Sequence, residues 1–354
     1  MSGAPDTSRT TGPVTVRELS PGCSWDHTWS FTATGCPWQV LTRRALPPGA
    51  RRRVLELVDA YEGVWSRFRE DSLVSRAARG EIGDQGDVAA RGEAGDQGDV
   101  AARGEAGGRG APGPVVLDLP RGSGRMLALY DLLHRASAGR IDPLVGADLV
   151  ELGYDPAYSF TVRDGALHRL GARRGRLTWG QVRRDGDRLT LPRPALVDVG
   201  AVGKGFLADM VADALGRAGV DEVVVDASGD LVVHSGTPVR LGLEEPGSPG
   251  RVIGVVTLRR GALAASGVSE RAWGEGLHHV LDALTGLPVR DVLATWAVAG
   301  TCAQADGIAT ALFLTPPQQL AAAGLRYDFV LERADATVLT SRTFPRLGEL
   351  FTSR

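Results

Sequence analysis

The run Val197-Asp198-Val199 gives way to Gly200-Ala-Val-Gly203-Lys204-Gly205 and then to Phe206-Leu207-Ala-Asp209, and this stretch constrains the fold more than any other. The β-branched residues predict a strand over 196–199. Apolar Phe206, Leu207, Met210, Val211, Ala214, Leu215 and Ala218 recur at helical spacing and predict a helix over 205–218, closed by Gly219. A strand that turns through glycine into a helix brings unpaired backbone N–H groups close to whatever sits at the turn, and Lys204 adds a positive charge there. A phosphate is one reading; an ordinary strand-to-helix turn that binds nothing is the other. The spacing is neither that of a Walker A loop nor G-x-G-x-x-G, so a nucleotide needs support from elsewhere in the chain.

Composition narrows the classes. With 354 residues, 43% of them hydrophobic, the chain can build one large core or two modest ones, and its net charge of −2 gives no bulk attraction for nucleic acid. Cys23, Cys36 and Cys302 form neither a C-x-x-C pair nor a disulfide framework, which reads as reduced thiols in a cytoplasmic protein. The first thirty residues contain no apolar run of signal-peptide type, and no membrane insertion is expected. Residues 1–27 read as a disordered tail and 28–354 as one domain. A low-complexity insertion at 80–113 interrupts that domain, where GEIGDQGDVAAR is followed by GEAGDQGDVAAR and offers almost nothing to bury. Its period and copy number do not fit a stacked Ca²⁺-binding β-roll.

Elsewhere, helices are expected over 46–79, 124–138, 302–312 and 318–323. Strands are expected over 222–226, 231–234, 239–243, 252–258, 296–299 and 329–331. Several strands in succession, mixed with helices, predict an α+β (mixed α/β) fold rather than regular βαβ winding.

Two further constellations carry chemistry. On a helix, Asp306 and Thr310 lie one turn apart on one face, a pair suited to a hard cation whose other ligands are phosphate oxygens. Equally, Asp306 can cap or face solvent while Thr310 bonds back to its own helix. In Gly276-Leu-His278-His279-Val-Leu-Asp282-Ala-Leu-Thr285-Gly286, adjacent histidines on a strand face opposite ways, so at most one serves a given site as a base and the other is structural.

Taken in order, these stretches resemble the ApbE family of flavin transferases. Thr34-Gly35-Cys-Pro-Trp38 is similar to the family's early G-T-x-W-type strand, and Ser66-Arg-Phe68-Arg-Glu-Asp71-Ser72 to its S-x-[YF]-x-x-D-S. Ser137-Ala138-Gly139-Arg-Ile-Asp142-Pro143 resembles the turn T-x-G-x-F-D-P, and Asp198 to Asp209 resembles D-x-G-x-x-x-K-G-x-x-x-D. Ala227-Ser-Gly229-Asp230, His279-Val-Leu-Asp282-Ala-Leu-Thr285-Gly286 and Ala305-Asp306-Gly-Ile-Ala309-Thr310 resemble G-G-D, H-x-x-D-P-x-T-G and A-D-x-x-x-T. Departures are Ala283 for the proline, Ala265-Ser266 for Thr-Ser, Ser228 for a glycine and Ile141 for an aromatic. Loss of the proline is expected to loosen the turn that aims His279.

The resemblance implies a T-fold-like flavin transferase domain that uses FAD as substrate and Mg²⁺ to attach FMN to a Thr or Ser of a target flavoprotein, releasing AMP. It assigns Asp198, Lys204, Thr34, Phe68, Ser137, Ala138, Gly139 and Thr295 to FAD. Asp306 and Thr310, with main-chain oxygen at Ala201 and Ala309, go to the metal, and His279 to proton removal from the attacking hydroxyl. The rival readings are an FAD pyrophosphatase and a non-catalytic FAD-binding protein; a nicotinamide dehydrogenase lacks its fingerprint. Oligomeric state is not legible in the sequence.

Overall fold

A computed structural model describes residues 25–82, 113–172, 175–248, 250–268, 272–274 and 276–351, together with Val14–Val16 and Asp87–Val88. The frame is a ten-stranded antiparallel sheet. Its strands are β1 (Val14–Val16), β2 (His27–Ala33), β3 (Cys36–Thr42), β4 (Val223–Asp226), β5 (Asp230–Glu244), β6 (Val252–Gly267), β7 (Val292–Ala299), β8 (Asp328–Arg333), β9 (Val338–Thr340) and β10 (Gly348–Leu350). They lie in the order β9-β8-β7-β6-β5-β4-β3-β2, with β1 on the far half of β5 and β10 on the first half of β6. Each strand from β4 to β9 therefore pairs with its neighbour in sequence. Such a meander is the α+β arrangement expected, since a parallel sheet would need crossover helices between strands.

Four helices pack on this frame and frame a cleft: α1 (Ala50–Trp65), α2 (Ser123–Ala136), α3 (Gly203–Arg217) and α4 (Cys302–Ala311). They cover one face of the sheet, and the strand sequences show why. Side chains alternate across a strand. Val223, Val225, Val232, Ala262, Ala264, Ala297 and Ala299 join α1, α2, α3 and α4 in one apolar core, while Val224, Leu231, Val233, Leu263, Trp296 and Val298 build a second core on the opposite face. The alanines let the helices lie close to the sheet. The second core is completed by Val239, Leu241 and Leu243 of β5, Val256 and Leu258 of β6, and Phe344. A small sheet of Asp87–Val88, Val115–Asp118, Arg183–Asp185 and Arg188–Leu191 stands apart. Among the described residues no helix is long and apolar enough to cross a membrane.

Several expected elements change. Residues 196–199 form no strand, and the Asp198 N–H donates to Pro143 O at 2.7 Å. The helix expected over 46–79 breaks at Ser66 and resumes at Leu73–Ala78, where the Ser72 hydroxyl accepts the Ser75 N–H at 3.2 Å. The strands expected over 231–234 and 239–243 are one long strand, β5. Within the segment 1–27, expected to be a disordered tail, Val14–Val16 pairs with 241–243 and β2 begins at His27; residues 1–13 and 17–24 lie outside the described residues. Of the insertion at 80–113, only 80–82, Asp87–Val88 and 113 are described.

Candidate active site

On the helix-covered side a cleft of about 250 Å³ opens between segments distant in sequence. Its wall takes Gly35 to Pro37 from the β2–β3 turn, Arg67 and Phe68 from beyond α1, and Tyr130 from α2. Arg140 to Pro143, Asp198, Gly200, Ala201, Lys204, Ser266, His279, Asp306 and Thr310 are also among its lining residues. Phe68, Asp198, Ala201, Lys204, His279, Asp306 and Thr310, all expected at a site, thus share one cavity.

The glycine and lysine stretch acts differently from a phosphate loop. A Cβ on Gly203 would stand 2.5 Å from Tyr61 Oη, and one on Gly205 would stand 2.3 Å from Cys302 O. These glycines face protein: the missing Cβ of Gly205 lets α3 cross α4 backbone to backbone, and that of Gly203 admits Tyr61 from α1. The Gly205 N–H donates to Asp306 Oδ2 at 2.9 Å. Lys204 Nζ ion-pairs with Asp230 Oδ2 at 2.7 Å and donates to Ala227 O at 2.9 Å. Asp209 accepts the Cys302 and Ala303 N–H groups at 2.8 and 2.9 Å, capping α4. One motif therefore pins two others, 227–230 and 301–306.

Asp198 is held by Arg67 Nε at 2.5 Å and by the Gly200 N–H at 2.6 Å. Asp306 is 4% exposed, and its carboxyl is pushed well above the usual range by burial and by Asp230, against the pull of Lys204 and the Gly205 N–H. Burial also pushes Asp226 up to about 6, opposed by the Gly229 N–H and Lys204. Burial works against the Lys204 ammonium, yet Asp230 and Asp306 outweigh it and hold the group charged. The helix expected around Asp306 and Thr310 is present as α4, with both residues on the cleft.

The two histidines divide their duties, although only His278 lies on a strand, Leu277–His278, and His279 follows in a bend. His278 is buried, its Nε2 lies 2.6 Å from Val289 O, and burial lowers its pKa. His279 lines the cleft. The turn behind it is well fixed despite Ala283. The Ala283 N–H donates to Arg140 O at 3.0 Å, a bond a proline cannot make. Arg176 donates to Ala283 O at 2.7 Å, and Arg140 ion-pairs with Asp282. The loosening expected from the missing proline is thus opposed by three contacts. Ser228, another departure, takes φ 53° and donates its hydroxyl to Pro37 O at 2.6 Å.

Other expected residues stand behind the wall. Thr34 occupies the β2–β3 turn at φ 51°, and its N–H donates to Glu62 Oε1 at 2.5 Å, while Gly35 takes the cleft. Ser137, Ala138 and Gly139 form the turn that ends α2, with the Gly139 N–H on His134 O at 2.8 Å; the cleft is lined instead by 140–143. Thr295 is fully buried and donates to Ala309 O at 2.7 Å, so these two brace α4 on β7.

Two lining residues carry no readable signal in the sequence. Tyr130 looks like any apolar position of α2, and Arg67 like a surface charge after a helix. Arg67 is 5% exposed, donates to Tyr154 O at 2.7 Å and lies 4.2 Å from the centre of the Phe68 ring. Phe68 in turn stacks on Tyr158 at 4.9 Å.

The family model described as "ApbE family" matches residues 27–327. The chain belongs to the ApbE family. It is 31% identical over 232 residues to the FAD:protein FMN transferase of Treponema pallidum, covering 57% of this chain and 61% of that one. It is 31% identical over 186 residues to the enzyme of the same name from Rhodobacter capsulatus, covering 50% of this chain and 35% of that one. The chain thus spans about a third to three-fifths of these relatives. The solved ApbE protein of Thermotoga maritima superposes with a TM-score of 0.70 at 19% identity, covering 91% of this chain and 98% of that one. The flavin transferase ApbE of Vibrio cholerae gives 0.69 at 20% identity, with the same coverage. These likenesses establish a shared fold.

Proposed function

We propose that this chain is an FAD:protein FMN transferase, which moves FMN from FAD to a Thr or Ser of a target flavoprotein and releases AMP. One observation carries the reading: seven residues that the family resemblance assigns to FAD, metal and proton transfer, drawn from separate segments, line a single cleft. The names of the relatives from Treponema pallidum and Rhodobacter capsulatus agree with it.

In the transfer, the acceptor hydroxyl oxygen bonds to the FMN phosphorus as the bond to the AMP oxygen breaks. The electron pair leaves with AMP, and His279 takes the hydroxyl proton. Phe68 and Asp198 orient the flavin part, with Arg67 holding Asp198 in place. Lys204 already has Asp230 and two carbonyls as partners, so it contributes a fixed charge near the diphosphate rather than a free arm.

The Mg²⁺ implied by the family fits the donors at hand. Among the described residues no three His, Cys, Asp or Glu side chains are grouped to hold a metal. A buried Asp306 carboxyl disfavoured as an anion nevertheless suits a neighbouring cation, and one carboxylate, one hydroxyl and main-chain oxygen are the hard ligands Mg²⁺ takes when phosphate completes its shell. Asp306, Thr310 and Ala201 O would hold it; Ala309 O already accepts the Thr295 hydroxyl and is the weaker member. When bound, the ion would neutralise charge on the diphosphate as AMP departs. Free, buried Cys36 and Cys302 fit the cytoplasmic setting expected from the sequence.

Incubation with FAD, Mg²⁺ and a protein bearing a Thr or Ser flavinylation motif tests the proposal. Covalently yellow target with one AMP released is expected. Free FMN with AMP would indicate a pyrophosphatase, bound but unchanged FAD a storage protein, and no affinity for FAD would remove the reading altogether.

A further inference from the structure

Among the described residues, two buried donors in the cleft wall meet no acceptor: the Tyr130 hydroxyl, on a residue 1% exposed, and Arg67 Nη2, on a residue 5% exposed. Buried polar groups in folded proteins are nearly always paired, and an unpaired one costs stability. Neither donor is free to swing elsewhere. The Tyr130 ring sits 6.0 Å from the Trp179 ring in the main core. Arg67 is fixed by Asp198 at 2.5 Å and by Tyr154 O at 2.7 Å, with its guanidinium over the Phe68 ring. Fixed, unsatisfied donors at a cleft are preorganised for acceptors that arrive with a ligand.

We propose that both donors contact bound FAD directly, Tyr130 Oη giving its hydrogen to a diphosphate oxygen beside Asp306 and Arg67 Nη2 to an acceptor of the flavin ring against Phe68. The inference rests on the transferase reading for its substrate and adds two contacts that reading does not contain. Their surroundings assign the ends. Tyr130 lines the cleft together with Lys204, Asp306 and Thr310, the residues given to the diphosphate and its cation. Arg67 instead shares its contacts with aromatic rings. Phosphate oxygens are strong acceptors for the first, and the flavin carbonyls are acceptors of matching kind for the second.

Flavin fluorescence titrations of wild type, Tyr130→Phe and Arg67→Lys with FAD and with riboflavin, which lacks phosphate, separate the two roles. Tyr130→Phe keeps the ring and removes only the hydroxyl. It should weaken FAD binding about tenfold, leave riboflavin binding unchanged, and leave the melting temperature of the unliganded protein equal or higher, because a buried hydroxyl without an acceptor has gone. Arg67→Lys should weaken FAD and riboflavin alike. Wild-type affinity for FAD in Tyr130→Phe, combined with a lower melting temperature, would overturn the proposal and make the hydroxyl structural. Equal loss of riboflavin would overturn its assignment to the diphosphate. Wild-type protein that binds no FAD would overturn the transferase reading and this inference with it.

Discussion

The two walls of the cleft differ in how completely the protein satisfies them. On the α3 wall, Lys204, Asp209, Gly205 and Asp198 all have partners within the chain. On the α4 and α2 wall, Asp306 is buried with its charge incompletely compensated, and the Tyr130 hydroxyl is buried with no acceptor. The first wall is a scaffold. The second is poised for a ligand, since groups whose desolvation the protein does not offset are those that gain most when a cation or phosphate arrives.

Substitutions on each wall should separate these roles. The largest effect is expected at His279. His279→Ala should lower transfer by about 10²–10⁴ while FAD affinity changes little, because general-base help is lost and binding is not; steady-state rates and FAD titration together measure this. Parallel loss of FAD binding would make His279 a binding residue.

Lys204→Met should act mainly on stability. It removes the cation paired with Asp230, whose side chain is 1% exposed, and should cost about 3–5 kcal/mol in a urea melt. Unchanged stability with lost FAD affinity would move Lys204 from the scaffold to the ligand.

The smallest effect concerns Asp226. Its carboxyl, raised to about 6 from 3.8, binds its proton more tightly in the native than in the unfolded state, so its contribution to stability falls as pH rises through that window. Asp226→Asn should remove up to roughly 3 kcal/mol of that pH dependence, read from urea midpoints taken below and above the window. An unaltered pH profile would show that Asp226 is not buried as a reluctant anion.

Much of the molecule is legible in the sequence, for identifiable reasons. Asp306 and Thr310 can be placed on one helix face because a period of 3.6 fixes their relation. The antiparallel meander follows from strands in succession. The partners of the glycines do not follow: a glycine opening space for phosphate and one opening space for Cys302 O read alike, and only the crossing of α3 with α4 decides. Residues 196–199 read as a strand because β-branching reports a preference for extended backbone, not the presence of a neighbour to pair with. Motif position draws Thr34, Ser137 and Thr295 to the site, whereas their hydrogen bonds brace turns and helices around it. Arg67 and Tyr130 stay hidden because burial of a polar atom is a tertiary fact.

The proposed site stands or falls with Asp306 as the holder of the cation that the diphosphate of FAD requires. Calorimetric titration of FAD into wild type and Asp306→Ala, each with and without Mg²⁺, addresses this without an acceptor protein. Mg²⁺ should tighten FAD binding in wild type and have no effect in Asp306→Ala, whose folding is checked by its melting temperature because the Gly205 N–H loses its acceptor. Mg²⁺-dependent FAD binding retained in Asp306→Ala would contradict the assignment.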